Sequence, residues 1–400
     1  MLIFFTVFID LIGFGIVIPL LPLFAEKFGA SGLTVGLLLM SYSLMQFIFT
    51  PIWGRLSDRV GRRPMLILSL AASGVGYLIW GFSASLPMLF LSRIVAGAGN
   101  ANLAVAQAYI ADVTTAENRA RGMGLVGAAF GLGFVLGPAI GGAALSLGGS
   151  YQVAGLLAAG FSLLDLVLTF FLLPEPEKRT QAGHERFSLE PDFYWKTLST
   201  ASLRVPLAIF FISTFSFSLM EATLVLLTER QFSFSAAQNG WMFAYIGLVM
   251  VFVQGGMIGR LSKRFGEQKL IAAGTALVAA GLLLTPATTT PAVLYGALAL
   301  LAIGSGINNP SNQSILSKLA PRDKVGGVLG VGQSLSTLGR ILGPLAGGAS
   351  FQYVGVASPY LIGASTMLLA FVLSLLLPDS QALATLVDQR HRIEPSEAKT

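Results

Sequence analysis

Apolar residues come in long runs separated by short polar gaps. A helix rising about 1.5 Å per residue crosses a hydrocarbon layer of about 30 Å in about 20 residues. Twelve runs meet that length: 1–24, 32–53, 64–84, 87–111, 121–146, 151–173, 203–229, 237–259, 268–286, 291–317, 325–350 and 357–377. They are numbered α1 to α12 in that order. Most gaps hold only a few residues. The stretch 174–202 is instead polar and charged, with Pro174, Pro176 and Pro191, and reads as a linker. The pattern predicts an N-terminal six-helix bundle (1–173), a linker (174–202), a C-terminal six-helix bundle (203–378) and a polar tail (379–400).

The halves repeat. Gly54-Arg-Leu-Ser-Asp-Arg-Val-Gly61 recurs as Gly259-Arg-Leu-Ser-Lys-Arg-Phe-Gly266, and Gly137-Pro-Ala-Ile-Gly-Gly142 as Gly343-Pro-Leu-Ala-Gly-Gly348. With six helices per half, the copies share one orientation. The expected fold is an all-α membrane protein: twelve transmembrane helices in two pseudo-symmetric six-helix bundles, with substrate bound between the halves near the midplane.

Composition supports a membrane as solvent: 54% of residues are hydrophobic and 11% charged, against about 25% charged in soluble domains. The net charge of +6 does not point to nucleic acid, because the basic residues sit in short loops rather than on one face. Lys27 and Arg230 fall on one side of the twelve runs, Arg93 and Arg340 fall inside helices, and every other Lys and Arg falls on the opposite side. Positive loops stay inside, so both termini and the linker are expected in the cytoplasm and the protein in the inner cell membrane. No positive segment precedes the first run, so no cleavable signal is expected. Cysteine is absent, and His184 and His391 lie outside the runs, which excludes disulfides and thiolate chemistry and argues against a metal or cofactor site. No helix carries paired acids, so an intramembrane enzyme is disfavoured. The short polar tail offers no signalling domain for a sensor.

Several residues carry candidate chemistry. The α2–α3 loop reads Gly54-Arg-Leu-Ser-Asp58-Arg59-Val-Gly61-Arg62-Arg63-Pro64. Glycines permit a tight turn, and Asp58 can face the positive end of a neighbouring helix such as α11. Helix α5 carries Gly127, Gly131, Gly133, Gly137, Pro138, Gly141 and Gly142, a spacing that lets backbones approach closely. On α4, Arg93, Gly97, Asn100 and Gln107 share a face by helical spacing. A charge near the bilayer centre costs about 2.5–3.5 kcal/mol on insertion scales, so Arg93 should face a cavity and a partner. A cavity lining is expected from Gln238, Trp241 and Tyr245 on α8, Asn309 and Gln313 on α10, and Gln333, Ser336 and Arg340 on α11. Three acids lie inside helices: Asp10 in α1, Glu221 in α7 on a face with Thr214, Ser218 and Thr228, and Asp165 in α6. Desolvation favours the neutral form of a carboxyl, which makes a membrane acid a usable proton carrier. Asp165 is expected to make structural hydrogen bonds.

These motifs resemble the major facilitator superfamily, of the drug:proton antiporter type. The likeness spans nearly the whole chain, and is strongest to tetracycline and multidrug efflux members in the first half. It implies that Arg59 pairs with Asp112 at the end of α4. It also implies that Gly54, Asp58, Arg59, Gly61, Arg62 and Asp112 form a cytoplasmic gate. The α5 residues Gly133, Gly137, Pro138, Gly141 and Gly142 resemble the antiporter motif of exporters, and Arg93 matches the α4 arginine implicated in proton transfer. The segment Asp10-Leu-Ile-Gly13-Phe-Gly15-Ile-Val-Ile-Pro19 resembles the first helix of tetracycline exporters. One departure stands out: acids that tetracycline exporters carry in α3 and α9 are replaced by Gly76 and Ala273, which points away from tetracycline–metal recognition.

No nucleotide-binding loop is present, so an ion gradient must drive transport. The expected function is export of small lipophilic compounds in exchange for protons, with Asp10, Glu221 and Arg93 as the coupling residues. The alternative is a proton-coupled or facilitative carrier of a sugar, organic acid or other metabolite. Expected partners are a small-molecule substrate, protons and the lipid bilayer, with the protein a monomer and no nucleic acid or cofactor involved.

Overall fold

The computed structural model describes residues 2–100, 103–114, 116–176, 191–321 and 324–379. The middle of the expected linker, the tail beyond 379, His184 and His391 lie outside the described residues.

Each apolar run is largely helical over its described residues. The first half comprises α1 (Leu2–Val17, continued by a short helix, Leu21–Glu26), α2 (Gly32–Val60), α3 (Arg62–Gly81), α4 (Leu86–Gly99 and Leu103–Val113), α5 (Ala116–Ser146) and α6 (Tyr151–Leu172). The second comprises α7 (Ala201–Phe232), α8 (Ala236–Phe252, passing through a π-helical stretch, Val253–Met257, into Ile258–Phe265), α9 (Glu267–Leu284), α10 (Pro291–Leu319), α11 (Val325–Tyr353) and α12 (Ser358–Ser374). A short helix, Pro191–Ser199, lies in the expected linker. No strand occurs among the described residues.

Two boundaries differ from the apolar pattern, each for a local reason. The first run breaks at 18–20, around Pro19, which lacks the N–H a continuing helix needs. Helix α2 runs seven residues past its apolar stretch, because a charged surface still allows helix, and stops at Gly61, whose φ is +116°. Among the described residues, eight helices are long and apolar enough to cross a membrane. Helices α1, α5 and α12 hold shorter apolar stretches, Ile3–Val17, Gly131–Ser146 and Ser358–Ser374. Helix α11 carries Gln333, Ser334, Ser336, Thr337 and Arg340, which dilute its hydropathy.

The chain divides into two compact units. One contains Met1–Ala182, Ser218–Leu248 and Arg340–Pro359, so it joins all of α1–α6 to parts of α7, α8 and α11. The other contains Gly183–Phe217, Val249–Gly339 and Tyr360–Thr400. The first unit buries Leu11, Leu66, Val105, Tyr109 and Ile110 among α1, α3 and α4. The second buries Leu207, Phe210, Ile315, Leu316 and Val328 among α7, α10 and α11. Burial of each such side chain from water contributes about 1.5–3 kcal/mol, whereas in lipid close packing supplies the specificity.

Candidate functional site

At the arginine-rich end of the first unit, the α2–α3 corner is an ion-pair network. Arg62 reaches Asp58 at 2.6 Å and Asp112 at 2.8 Å, and its guanidinium also donates to Ser57 Oγ at 2.6 Å. Arg62 is therefore the partner of Asp112, whereas the resemblance implied Arg59. The cause is the turn: Gly61 redirects the chain, so Arg62 opens α3 and faces α4, while Arg59 ends α2 exposed. Of the two glycines, it is Gly61 that makes the turn, at φ +116°. Gly54 lies within α2, and a side chain there would meet nothing within 4 Å. Glu175, absent from the expected set, accepts from the backbone N–H groups of Arg62 at 2.6 Å and Arg63 at 2.9 Å. It is an anion at the positive end of α3. Its sequence signal is an acid between Pro174 and Pro176, directly after α6.

At the opposite end, marked by Lys27, glycines bring helix backbones into contact. On α5, Gly133, Gly137 and Gly141 face α1: an added methyl would lie 2.6 Å from Leu11 Cβ, 2.6 Å from Gly15 Cα and 3.1 Å from the Ile16 carbonyl oxygen, respectively. Gly142 faces α8 instead, with Gly240 against it, and Pro138 offers its carbonyl to the same crossing. Helix α11 repeats the device. Gly347 faces α7 at Leu219, and Gly348 faces α2 at Gly32 and Gly36. The repeated Gly-Pro segments thus make equivalent crossings, α5 with α1 and α8, α11 with α7 and α2.

Between these ends lie the acids inside helices. Asp10 is 3% exposed and accepts from Asn100 Nδ2 at 2.7 Å, and the Asn100 carbonyl accepts from Gln46 Nε2 at 3.1 Å. Arg93 is 2% exposed, with its guanidinium 5.0 Å from the Trp80 ring centre, 5.8 Å from Tyr42 and 6.0 Å from Tyr77. Among the described residues no carboxylate lies within 4 Å of it. The partner expected for Arg93 is an aromatic box, and a desolvated cation over a ring gains about 2 kcal/mol or more. Glu221 and Ser218 on α7, Arg340 on α11, Arg93 on α4, and Tyr42 and Ser43 on α2 line one cavity of about 40 Å³, walled otherwise by apolar side chains. Glu221 and Arg340 interact electrostatically across it. The space suits a few waters, whereas a drug-sized ligand needs about 300–1,000 Å³. Asp165 is fully buried on α6 and accepts from Thr169 Oγ1 at 3.3 Å.

The structure gathers Arg93, Glu221 and Arg340 from the expected set, with Asp10 and Asn100 paired on α1 and α4. It does not gather the rest. Gln107 is exposed on α4, and Tyr245 is half-buried on α8 away from this cavity. Gln238 accepts from Ser235 N at 2.8 Å in the turn that opens α8, and it lines an open groove at the Lys27 end with Trp241 and Tyr151. In the second unit, Gln313 and Gln333 are exposed and Asn309 is half-buried. Their neighbours Asn308 and Asn312 are the buried pair, donating to Ser213 Oγ at 2.7 Å and the Pro206 carbonyl at 3.0 Å. Thr214 and Ser336 share a hydrogen bond at 3.1 Å, and Thr228 donates to Asn239 at 2.6 Å. Gly76 packs so tightly on α4 that a methyl there would lie 2.6 Å from Ala96 N, leaving no room for a carboxyl.

Comparison with known proteins fits this architecture. The model of the Major Facilitator Superfamily matches residues 3–257 and 207–397. The tetracycline resistance protein, class C, of Escherichia coli is 37% identical over 347 residues, 85% of this chain and 86% of that protein. The major facilitator superfamily domain-containing protein 10 of Mus musculus is 31% identical over 369 residues, 87% of this chain and 80% of that protein. Among solved structures, the human organic anion transporter MFSD10 (TETRAN) superposes with a TM-score of 0.70 at 27% identity, covering 93% of this chain and 98% of that one. With the family model matched over most of its length and relatives of more than 30% identity covering most of both chains, the chain belongs to the major facilitator superfamily of multi-pass membrane transporters.

Proposed function

We propose that the chain exports small, largely apolar compounds in exchange for protons. The observation that carries this reading is the cavity holding half-buried Glu221 against Arg340 and Arg93, with a buried acid, Asp10, on α1. An acid or arginine inside a membrane bears an insertion cost that function repays. A carboxyl exposed in turn to each side carries protons without leaking them. One proton moving down about 180 mV supplies about 4 kcal/mol, enough for a substrate gradient on the order of a thousandfold. The glycine crossings hold the Lys27 end closed, and the Arg62 network is the gate of the other end in an alternating-access cycle between the 1–173 and 203–378 bundles. The basic loops at the Arg62 end support a cytoplasmic placement of that end and of both termini in the inner cell membrane. The tetracycline resistance relatives support drug efflux, while the tight packing of Gly76 supports a substrate other than a tetracycline–metal complex.

A second reading has its own observation: two guanidiniums face one carboxyl in the cavity, a charge excess that suits an organic acid. Inverted vesicles with an imposed pH gradient separate the two. An antiported substrate dissipates the gradient, whereas an acid carried together with protons adds to proton flow in its own direction. Under the antiport reading, Glu221→Gln or Asp10→Asn stops gradient-driven export and leaves substrate-for-substrate exchange intact. Uphill export by both single variants and by the double variant would overturn coupling at these acids and leave Asp165 as the next candidate.

A further inference from the structure

Two buried hydroxyls in the first unit have no evident structural purpose. Tyr42 is 5% exposed and Tyr77 is fully buried, and neither hydroxyl has a hydrogen-bond partner among the described residues. Leaving a buried polar group unmade costs about 1–3 kcal/mol, so such a pair calls for a reason. Their placement supplies one. A methyl at Gly13 would lie 3.1 Å from Tyr77 Cε2 and 3.5 Å from its Cζ, so the hydroxyl-bearing edge of Tyr77 leans on α1 one turn from Asp10. Phe14, the next residue on α1, stacks on Tyr42 at 5.1 Å, and Tyr42 lines the cavity that holds Glu221 and Arg340. Both rings face the Arg93 guanidinium. Asp10 interacts electrostatically with both tyrosines, and the tyrosines interact with each other.

We propose that Tyr77 and Tyr42 form a hydroxyl relay between Asp10 and Glu221, so that the two acids serve as one coupling site. This rests on the proton-coupled reading above. A tyrosine hydroxyl is both donor and acceptor. Neither hydroxyl is hydrogen-bonded among the described residues in this state, so the relay forms when the transport cycle brings these groups into reach: the Asp10 carboxylic proton then passes to the Tyr77 oxygen as the Tyr77 hydroxyl proton leaves for Tyr42 or a bridging water. The same exchange at Tyr42 delivers a proton to the Glu221 carboxylate. Both tyrosines end neutral, Asp10 ends ionised and Glu221 ends protonated. The charged and titratable groups around the path are Asp10 on α1, Asp165 on α6, Arg93 on α4, Glu221 on α7 and Arg340 on α11. Arg93 is the positioning residue: it holds the two rings face-on, and its fixed positive charge opposes a free hydronium, which favours transfer by exchange.

Removing a hydroxyl that bonds to no group among the described residues keeps the ring and its packing. A structural role therefore predicts little change in Tyr42→Phe, Tyr77→Phe or the double variant. The relay predicts intact substrate binding and substrate-for-substrate exchange in liposomes, with coupled proton flux reduced about a hundredfold and its pH profile altered. Tyr42→His, which restores a donor and an acceptor, should recover part of that flux. Glu221→Gln is run alongside. If the double Phe variant pumps uphill at the wild-type rate while Glu221→Gln does not, the relay is wrong and the coupling reading stands. If Glu221→Gln also pumps, the two acids are not one coupling site and the relay falls, while the coupling reading falls only if Asp10→Asn and the double acid variant pump as well.

Discussion

The α2–α3 corner and the α8–α9 corner occupy equivalent places in the two halves, yet they are built with opposite signs. In the first, a cation opens the helix: Arg62 at the start of α3 pairs with Asp112 near the end of α4. In the second, an anion does: Glu267 at the start of α9 pairs with Lys318 near the end of α10. Arg62 and Glu267 stand 205 residues apart, Asp112 and Lys318 206 apart, matching the offset of the sequence repeat. Both corners turn on a glycine with positive φ, Gly61 at +116° and Gly266 at +78°, conformations that side chains rarely adopt. In each pair the residue that opens the helix is the more buried, 16% against 35% exposed in the first and 7% against 45% in the second. The fold therefore specifies where a charge pair goes and leaves its polarity open. The surroundings set the polarity. Arg62 collects a second acid, Asp58, while Glu267 collects the hydroxyls of Ser262 and Ser314.

The sharpest break of this comparison is Arg62→Glu, which puts a fourth acid beside Asp58, Asp112 and Glu175 at one corner. Transport should fall to background, and the purified protein should lose about 2 kcal/mol of stability, between the limits for exposed and buried pairs. Thermal unfolding in detergent, run beside a transport assay, checks both. Pair inversion comes next. Glu267→Lys with Lys318→Glu should retain most activity, because hydroxyls accept either sign. Arg62→Glu with Asp112→Lys should recover only in part, because Asp58 remains beside the new acid. Equal recovery at the two corners would show that Asp58 has no part in setting polarity. The smallest effects belong to the turns. Gly266→Ala should cost about 1 kcal/mol and Gly61→Ala more, up to about 3 kcal/mol. The difference arises because a methyl at Gly61 would sit 2.8 Å from Glu175 Oε1. Matching unfolding midpoints for the two variants would remove Glu175 from the account of the corner.

The helices were legible in the sequence because spanning length is a coarse, one-dimensional constraint. The repeat was legible because two blocks recur at nearly one offset. The partners of polar side chains were not, because spacing fixes which residues share a face but not which way that face turns. Asn308 with Asn312 and Asn309 with Gln313 are both pairs four apart on α10, offset by one residue and so by about 100°. The first pair is buried and hydrogen-bonds to α7, whereas in the second Asn309 is half-buried and Gln313 exposed. Arg59 and Arg62 pose the same difficulty across a turn, where one glycine decides which arginine faces α4. The aromatic box around Arg93 draws Tyr42, Tyr77 and Trp80 from two helices, and no local pattern joins them.

The glycine crossings at the Lys27 end have one further consequence. Where two backbones touch with no side chain between them, the smallest substituent acts as a wedge of known thickness. At Gly142 the nearest α8 backbone atom would lie 3.0 Å from an added methyl, and at Gly348 the nearest α2 atom would lie 2.2 Å away. A graded set of alanine and serine replacements along these contacts would therefore work as a dial. Each step props the same seam open by a slightly different amount, with no charge altered and no hydrogen bond removed. Selection could adjust the resting population of such a carrier through the same increments, at positions remote from anything the substrate touches.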